Sequence, residues 1–133
     1  MPGKFPRQYE ILLKKADADL ALVQYVLTLE DKPIDIDIIF FHLQQAVEKY
    51  LKALICYNGV HFEKIHDIDK IITVCRNNSI DIPDYIEVFI ELNQYAVEGR
   101  YAVISDDMDD AEGYAKFLAH LRVFVSEALA VEN

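Results

Sequence analysis

"FFHLQQAVEKYLKALICYNG", residues 40–59, is a helix with two unlike faces. Advancing each residue by about 100° puts Ile39, Phe40, Leu43, Ala46, Val47, Tyr50, Leu51, Ala53, Leu54 and Tyr57 on one broad side, which is a core. The opposite side holds Phe41, Gln45, Glu48, Lys49 and Lys52, with Ile38 and Cys56 at its ends. Glu48 and Lys52 form an i,i+4 pair, worth roughly 0.2–0.5 kcal/mol on an exposed surface. Such a pair does not account for a phenylalanine beside it, whose burial is worth about 1.5–3 kcal/mol. The stripe therefore reads as a second, partly buried surface. It predicts a homodimer interface that includes Phe41 and Gln45.

The rest of the chain supports an all-helical reading. Its 133 residues suit one domain, 1–133, with one continuous core, and 53% apolar content excludes a disordered chain. Four Gly and four Pro are too few for the turns of an all-β protein. No apolar run reaches the length of a membrane span, and the N-terminal Met1–Arg7 stretch has no signal-peptide core behind its charges. With only Cys56 and Cys75, the chain suits a reducing compartment, so a cytoplasmic location is expected. A net charge of −10 opposes nonspecific binding to nucleic acid, which requires a basic surface.

Apolar spacing predicts a first helix over Arg7–Glu30, broken by Asp31-Lys32-Pro33, then a second from Asp35 or Asp37 to the Asn58-Gly59 exit. A connection at Val60–Ile65 leads to a third helix over Asp67–Arg76, with Ile68, Ile71, Ile72 and Cys75 inward. A fourth runs from the Pro83 turn to Tyr101 with Tyr85, Val88, Phe89, Leu92, Tyr95, Ala96 and Gly99 on one side. The fifth covers Asp107–Val131, with Ala111, Tyr114, Ala115, Leu118, Leu121, Val125 and Leu129 inward. The expected fold is an antiparallel, up-and-down bundle of four to five helices.

The string "FHLQQAVEKYLKALICYNG", followed by "IHDI" at 65–68 and "EGRYAV" at 98–103, resembles the HEPN domain (higher eukaryote and prokaryote nucleotide-binding). With the flanking helices the resemblance covers nearly the whole chain. It implies a five-helix bundle, usually dimeric, that often works beside a minimal nucleotidyltransferase in a toxin–antitoxin-like or nucleotide-handling pair. Relatives that are RNases carry Arg, a polar residue and, after four to six intervening residues, a His. Here no His follows Arg7, Arg76, Arg100 or Arg122 at that distance. The expectation is thus a non-catalytic module that binds a nucleotide, a nucleotidyltransferase partner or both. The alternative is an RNase or nucleotide-processing enzyme with a non-standard site at Arg100 and His66.

The candidate binding residues are Gln45, Glu48, Lys49, Lys52, His66, Arg100 and Tyr101. Lys49 and Lys52, three apart, are expected to bend toward one phosphate, with Gln45 on a base or ribose and Arg100 joining from the fourth helix. Arg100 fits equally an ion pair with Glu48. His66 reads as a ligand or as a cap of the third helix. Cys56, His61, His66 and Cys75 match no zinc spacing, and Asp106, Asp107, Asp109 and Asp110 suit the start of a helix. No metal, cofactor or catalytic residue is assigned.

Overall fold

The computed structural model describes residues 7–31, 34–62, 64–96 and 108–130. These form α1 (Gln8–Leu27), α2 (Ile36–Tyr57), α3 (Ile68–Asn77), a 3-10 helix (Ile86–Tyr95) and α4 (Met108–Ala130), with no strand among them. The fold is the all-α bundle that the apolar spacing implies. No helix of the described residues is long and apolar enough to cross a membrane.

α2 is the axis of the molecule, packing against all four other elements. Phe40, Leu43, Ala46, Val47, Tyr50, Leu51 and Ala53 are fully buried on it, as the helical spacing requires. α1 lays Ala16, Leu20, Val23 and Val26 against it, and α4 contributes Ala111, Leu118, Leu121 and Val125. α1 runs antiparallel to α2, since Tyr9 meets Tyr57 edge-on at 5.1 Å while Lys49 reaches Asp19 further along. α1 stops at Leu27, earlier than Glu30, where the Thr28 hydroxyl donates to the Tyr25 carbonyl at 2.6 Å.

The fourth element corrects the sequence reading. An α-helix from Pro83 to Tyr101 was expected, and a 3-10 helix over Ile86–Tyr95 is found. Its buried residues are Ile86, Phe89, Leu92 and Tyr95, spaced by three. At three residues per turn these four align on one face, whereas an α-helix would fan them apart. Val88, expected inward, is exposed in consequence. Beyond Ala96 the expected helix, with Gly99, Arg100 and Tyr101, lies outside the described residues.

Two helices end in the same way. Past α2, the Gly59 N–H donates to the Cys56 carbonyl and the Val60 N–H to the Ile55 carbonyl. Past α3, the Ser79 N–H donates to Arg76 and the Ile80 N–H to Cys75. Both are Schellman closures, which need a left-handed residue at the first position beyond the cap. Gly59 takes φ +71° without cost, but Ser79 takes φ +56° against the clash of its own Cβ. α3 begins under a side chain from another element, the Asn93 Oδ1 accepting from the Ile68 N–H at 2.7 Å. His66, read as a possible cap of that helix, points elsewhere.

Replacing Ser79 by Gly is expected to stabilise the fold by about 0.5–1 kcal/mol, because relief of left-handed strain outweighs the added freedom of the unfolded chain. A rise in the urea midpoint with an unchanged slope would show it.

Candidate functional site

The polar side of α2 is not a solvated face. After Gly59 the chain turns back and runs along α2, forming a strap over its polar stripe. Phe62 of the strap lies under the Lys52 ammonium, 5.9 Å from ring centre to Nζ, and His66 reaches Glu48 further along. Glu48 and Lys52 are consequently 5% and 8% exposed, and Gln44 is wholly buried.

Gln44, Glu48 and Lys52 stand at i, i+4 and i+8, one above another on the helix. The Lys52 ammonium donates to Glu48 Oε2 at 3.1 Å, and the Gln44 amide donates to Glu48 Oε1 at 3.2 Å. The same Gln44 amide lies 3.2 Å from the His66 carbonyl, tying the strap to α2. Gln45 donates to the Gln44 side-chain oxygen at 2.7 Å. His66 Nδ1 lies 3.3 Å from both Glu48 oxygens. An ionised carboxylate can only accept, so this nitrogen carries the proton and the ring's Nε2 is left facing outward. The His66 side chain is 63% exposed, the accessible end of an otherwise enclosed network. No buried side-chain polar atom among the described residues lacks a partner.

This geometry extends one expectation and corrects another. The Glu48–Lys52 pair was expected on a partly buried surface, and it is buried outright. A buried pair costs several kcal/mol per ion in desolvation, offset by good geometry and further hydrogen bonds, and here each Glu48 oxygen has a partner. Lys49 and Lys52 were expected to converge on one anion, and they diverge. Lys49 turns to α1, where its ammonium lies 2.6 Å from Asp19 Oδ2, while Lys52 stays under the strap. Each ammonium takes the carboxylate its helix position brings nearest. Arg100 and Tyr101, expected to complete the site, lie outside the described residues, and Glu48 is already occupied by Lys52 and His66.

A second network at the α1–α2 seam was not read from the sequence. Asp19 accepts from both Lys49 and His42, the latter at 2.9 Å. The buried Tyr50 hydroxyl donates to Asp17 at 2.6 Å, and Arg122 of α4 approaches the same oxygen at 3.2 Å. Burial, reinforced by the hydrogen bond to Asp17, raises the Tyr50 pKa and keeps the phenol neutral as a donor. Two residues apart on α1, Asp17 and Asp19 point in different directions, Asp19 to His42 and Lys49 and Asp17 to Tyr50 and Arg122. Cys56 and Cys75 are free thiols, and burial pushes the Cys75 thiol up to about 11. Among the described residues no three His, Cys, Asp or Glu side chains are placed to hold a metal ion.

A helical bundle folded round one axial helix, with a carboxylate–ammonium ladder closed by a returning strap, defines the class. Residues 9–128 match the model of the HEPN domain, and the chain belongs to that family. No curated protein and no solved structure matched it.

Glu48→Ala is expected to destabilise the protein by about 3–5 kcal/mol, because it leaves Lys52 buried without a counter-charge. The double variant Glu48→Leu, Lys52→Met should be more stable than either single one. Urea unfolding of the wild type, Glu48→Leu, Lys52→Met and the double variant measures the cycle, and simple additivity would contradict a buried, coupled pair.

Proposed function

We propose that this HEPN domain is a non-catalytic binding module that recognises protein partners. Its working surface is the outer edge of α2 and the strap, formed by Ile38, Phe41, Gln45, Lys49 and His66. One partner is a second copy, meeting it through Phe41 and the Gln45 side. The other is a minimal nucleotidyltransferase, the companion the HEPN resemblance implies, in a toxin–antitoxin-like or nucleotide-handling pair. Two free cysteines suit the cytoplasm for such a pair.

The observation that supports this reading is the neutralisation of cations on α2. Lys49 is held by Asp19 and Lys52 by Glu48, so a phosphate would have to displace a carboxylate from either. What remains outward is amphipathic: Ile38 is 37% exposed, Phe41 is half-buried edge-on to His42, and His66 offers a polar ring. Such a mixture suits the core and rim of a protein interface. Nucleotide binding at Gln45, Lys49 and His66, with Arg100 and Tyr101, is the accessory part of the reading. Competition with Asp19 sets it near the millimolar range, about 4 kcal/mol of binding.

Sedimentation equilibrium at about tens of micromolar, a range suited to modest interfaces, should show a dimer. Phe41→Glu should shift it to monomer while the unfolding transition stays cooperative, since the core of α2 faces the other way. A monomeric wild-type protein at that concentration refutes the self-association. Purified protein should also leave single-stranded RNA intact with or without Mg²⁺. Cleavage that disappears in His66→Ala, with the circular dichroism unchanged, would establish the enzymatic reading instead.

A further inference from the structure

α2, α3 and α4 bring their C-terminal ends to one pole of the bundle. Between those ends lies an open cavity of about 500 Å³, bordered by the last turns of α2 and α4 and by the loop after α3. That volume falls within the range of small-molecule sites. Its apolar wall includes Leu54 and Ile80, both nearly buried, and two aromatic rings, Tyr57 and Phe124, line it as well. Asp81 and Glu127, carried by different elements, add carboxylates.

The charged side chains of the lining share one sign, although the positive N-terminus of α1 lies at the same pole, where Tyr9 meets Tyr57. A helix C-terminus carries the equivalent of about half a negative charge, and three of them end here. The last turns of α2 and α4 hold no basic residue. Arg76, in the last turn of α3, is drawn off to Glu87 at 3.3 Å. Among the described residues, no Lys, Arg or His belongs to the cavity lining. Arg7 stands near, at the start of α1, but its guanidinium bonds the Tyr9 hydroxyl at 2.9 Å and is not part of the wall. The strained Ser79, at φ +56°, also lines the cavity, and its left-handed turn is what brings Ile80 and Asp81 to the wall. Non-glycine residues held in that region concentrate at binding sites.

We propose that this cavity binds an organic cation with an apolar body, a primary ammonium or guanidinium group on an alkyl chain. The head settles between Asp81 and Glu127, the stem lies on Leu54 and Ile80, and the faces of Tyr57 and Phe124 add cation–π attraction. A bare divalent ion does not fit, because hard cations require about six or more oxygen ligands and much of this wall is hydrocarbon. An anion is repelled. The site stands at the pole where α2 ends, apart from the His66 end of the strap, and does not depend on the function proposed above.

The same chemistry has two sources, a free polyamine or a Lys or Arg side chain of a partner protein. Amide NMR titration of the full chain at low ionic strength distinguishes them, with spermidine in one arm and an acetylated, amidated Gly-Arg-Leu-Gly peptide in the other. Saturable shifts confined to residues 54–58, 79–81 and 124–128 are expected in at least one arm. Asp81→Asn and Glu127→Gln should each weaken that binding about 5- to 20-fold, as loss of a charge-assisted contact does. Both residues are exposed, so the variants should fold, and unchanged dispersion of the spectra verifies it. Tighter binding of the peptide assigns the site to a partner's side chain, and tighter spermidine to a free amine. The proposal fails if neither probe shifts those amides by about 10 mM, a Kd near the weakest specific binding. It fails equally if the shifts spread evenly over the acidic surface, or if both variants bind as the wild type does.

Discussion

A carboxylate and an ammonium placed inside a helical bundle constrain everything around them. Glu48 cannot be left without partners, so Lys52, Gln44 and His66 are all directed at it. Three of these four residues are on α2 and come with the helix. The fourth must be delivered by other chain, and that requirement fixes the path of the strap. Gly59 reverses the chain, Phe62 lies under the Lys52 ammonium and His66 arrives beside Glu48. α3 can then begin only where the strap ends. The position of one buried charge is thereby transmitted into the placement of a whole element. Buried polar networks are neutral or costly in free energy when compared with hydrocarbon, yet they distinguish one arrangement from near alternatives.

The Gln-Gln-Ala-Val-Glu-Lys string of residues 44–49, part of the stretch that resembles the family, has a structural meaning here. Gln44 and Glu48 belong to the enclosed ladder, while Lys49, one step round the helix, belongs to the seam with α1. Two networks are thus interleaved on one helix. Each pins α2 to a different neighbour, the strap on one side and α1 on the other. Tyr50 adds a third tie, its hydroxyl reaching Asp17 from an otherwise buried ring. Such a helix has few positions at which a polar residue is merely solvated.

The core was legible because apolar residues on α1, α2, α3 and α4 recur at α-helical steps, and their burial follows from that period. The polar face of α2 was legible as partly buried, through Phe41 among charges, but not as covered by the chain's own strap. What covers it is a strap of ten or so residues with no periodicity, whose path is set by tertiary contacts that no local pattern encodes. Gln44 sat at the edge of the apolar arc and gave no sign of burial. A clue was present in the i, i+4, i+8 order of amide, acid and base, which suits one shared acceptor better than a row of exposed pairs. The 3-10 helix was misread for a different reason. Ile86, Phe89, Leu92 and Tyr95 repeat every three residues, and a search at 3.6 absorbed them into an α pattern by exchanging Ile86 for Tyr85 and adding Val88.

That 3-10 helix also acts as a gauge of length. Ten residues at about 2.0 Å each extend some 20 Å, against about 15 Å for the same number in an α-helix. Rewinding it would draw its two ends together by about 5 Å and turn its four anchors out of line. Tyr95, stacked on Phe40 at 4.8 Å, and Asn93, bonded to the first amide of α3, would both lose their contacts. The segment therefore holds Ala96 at a fixed distance from the exit of α3. The thinner coil gives this bundle its span, and the core enforces it by admitting only every third side chain.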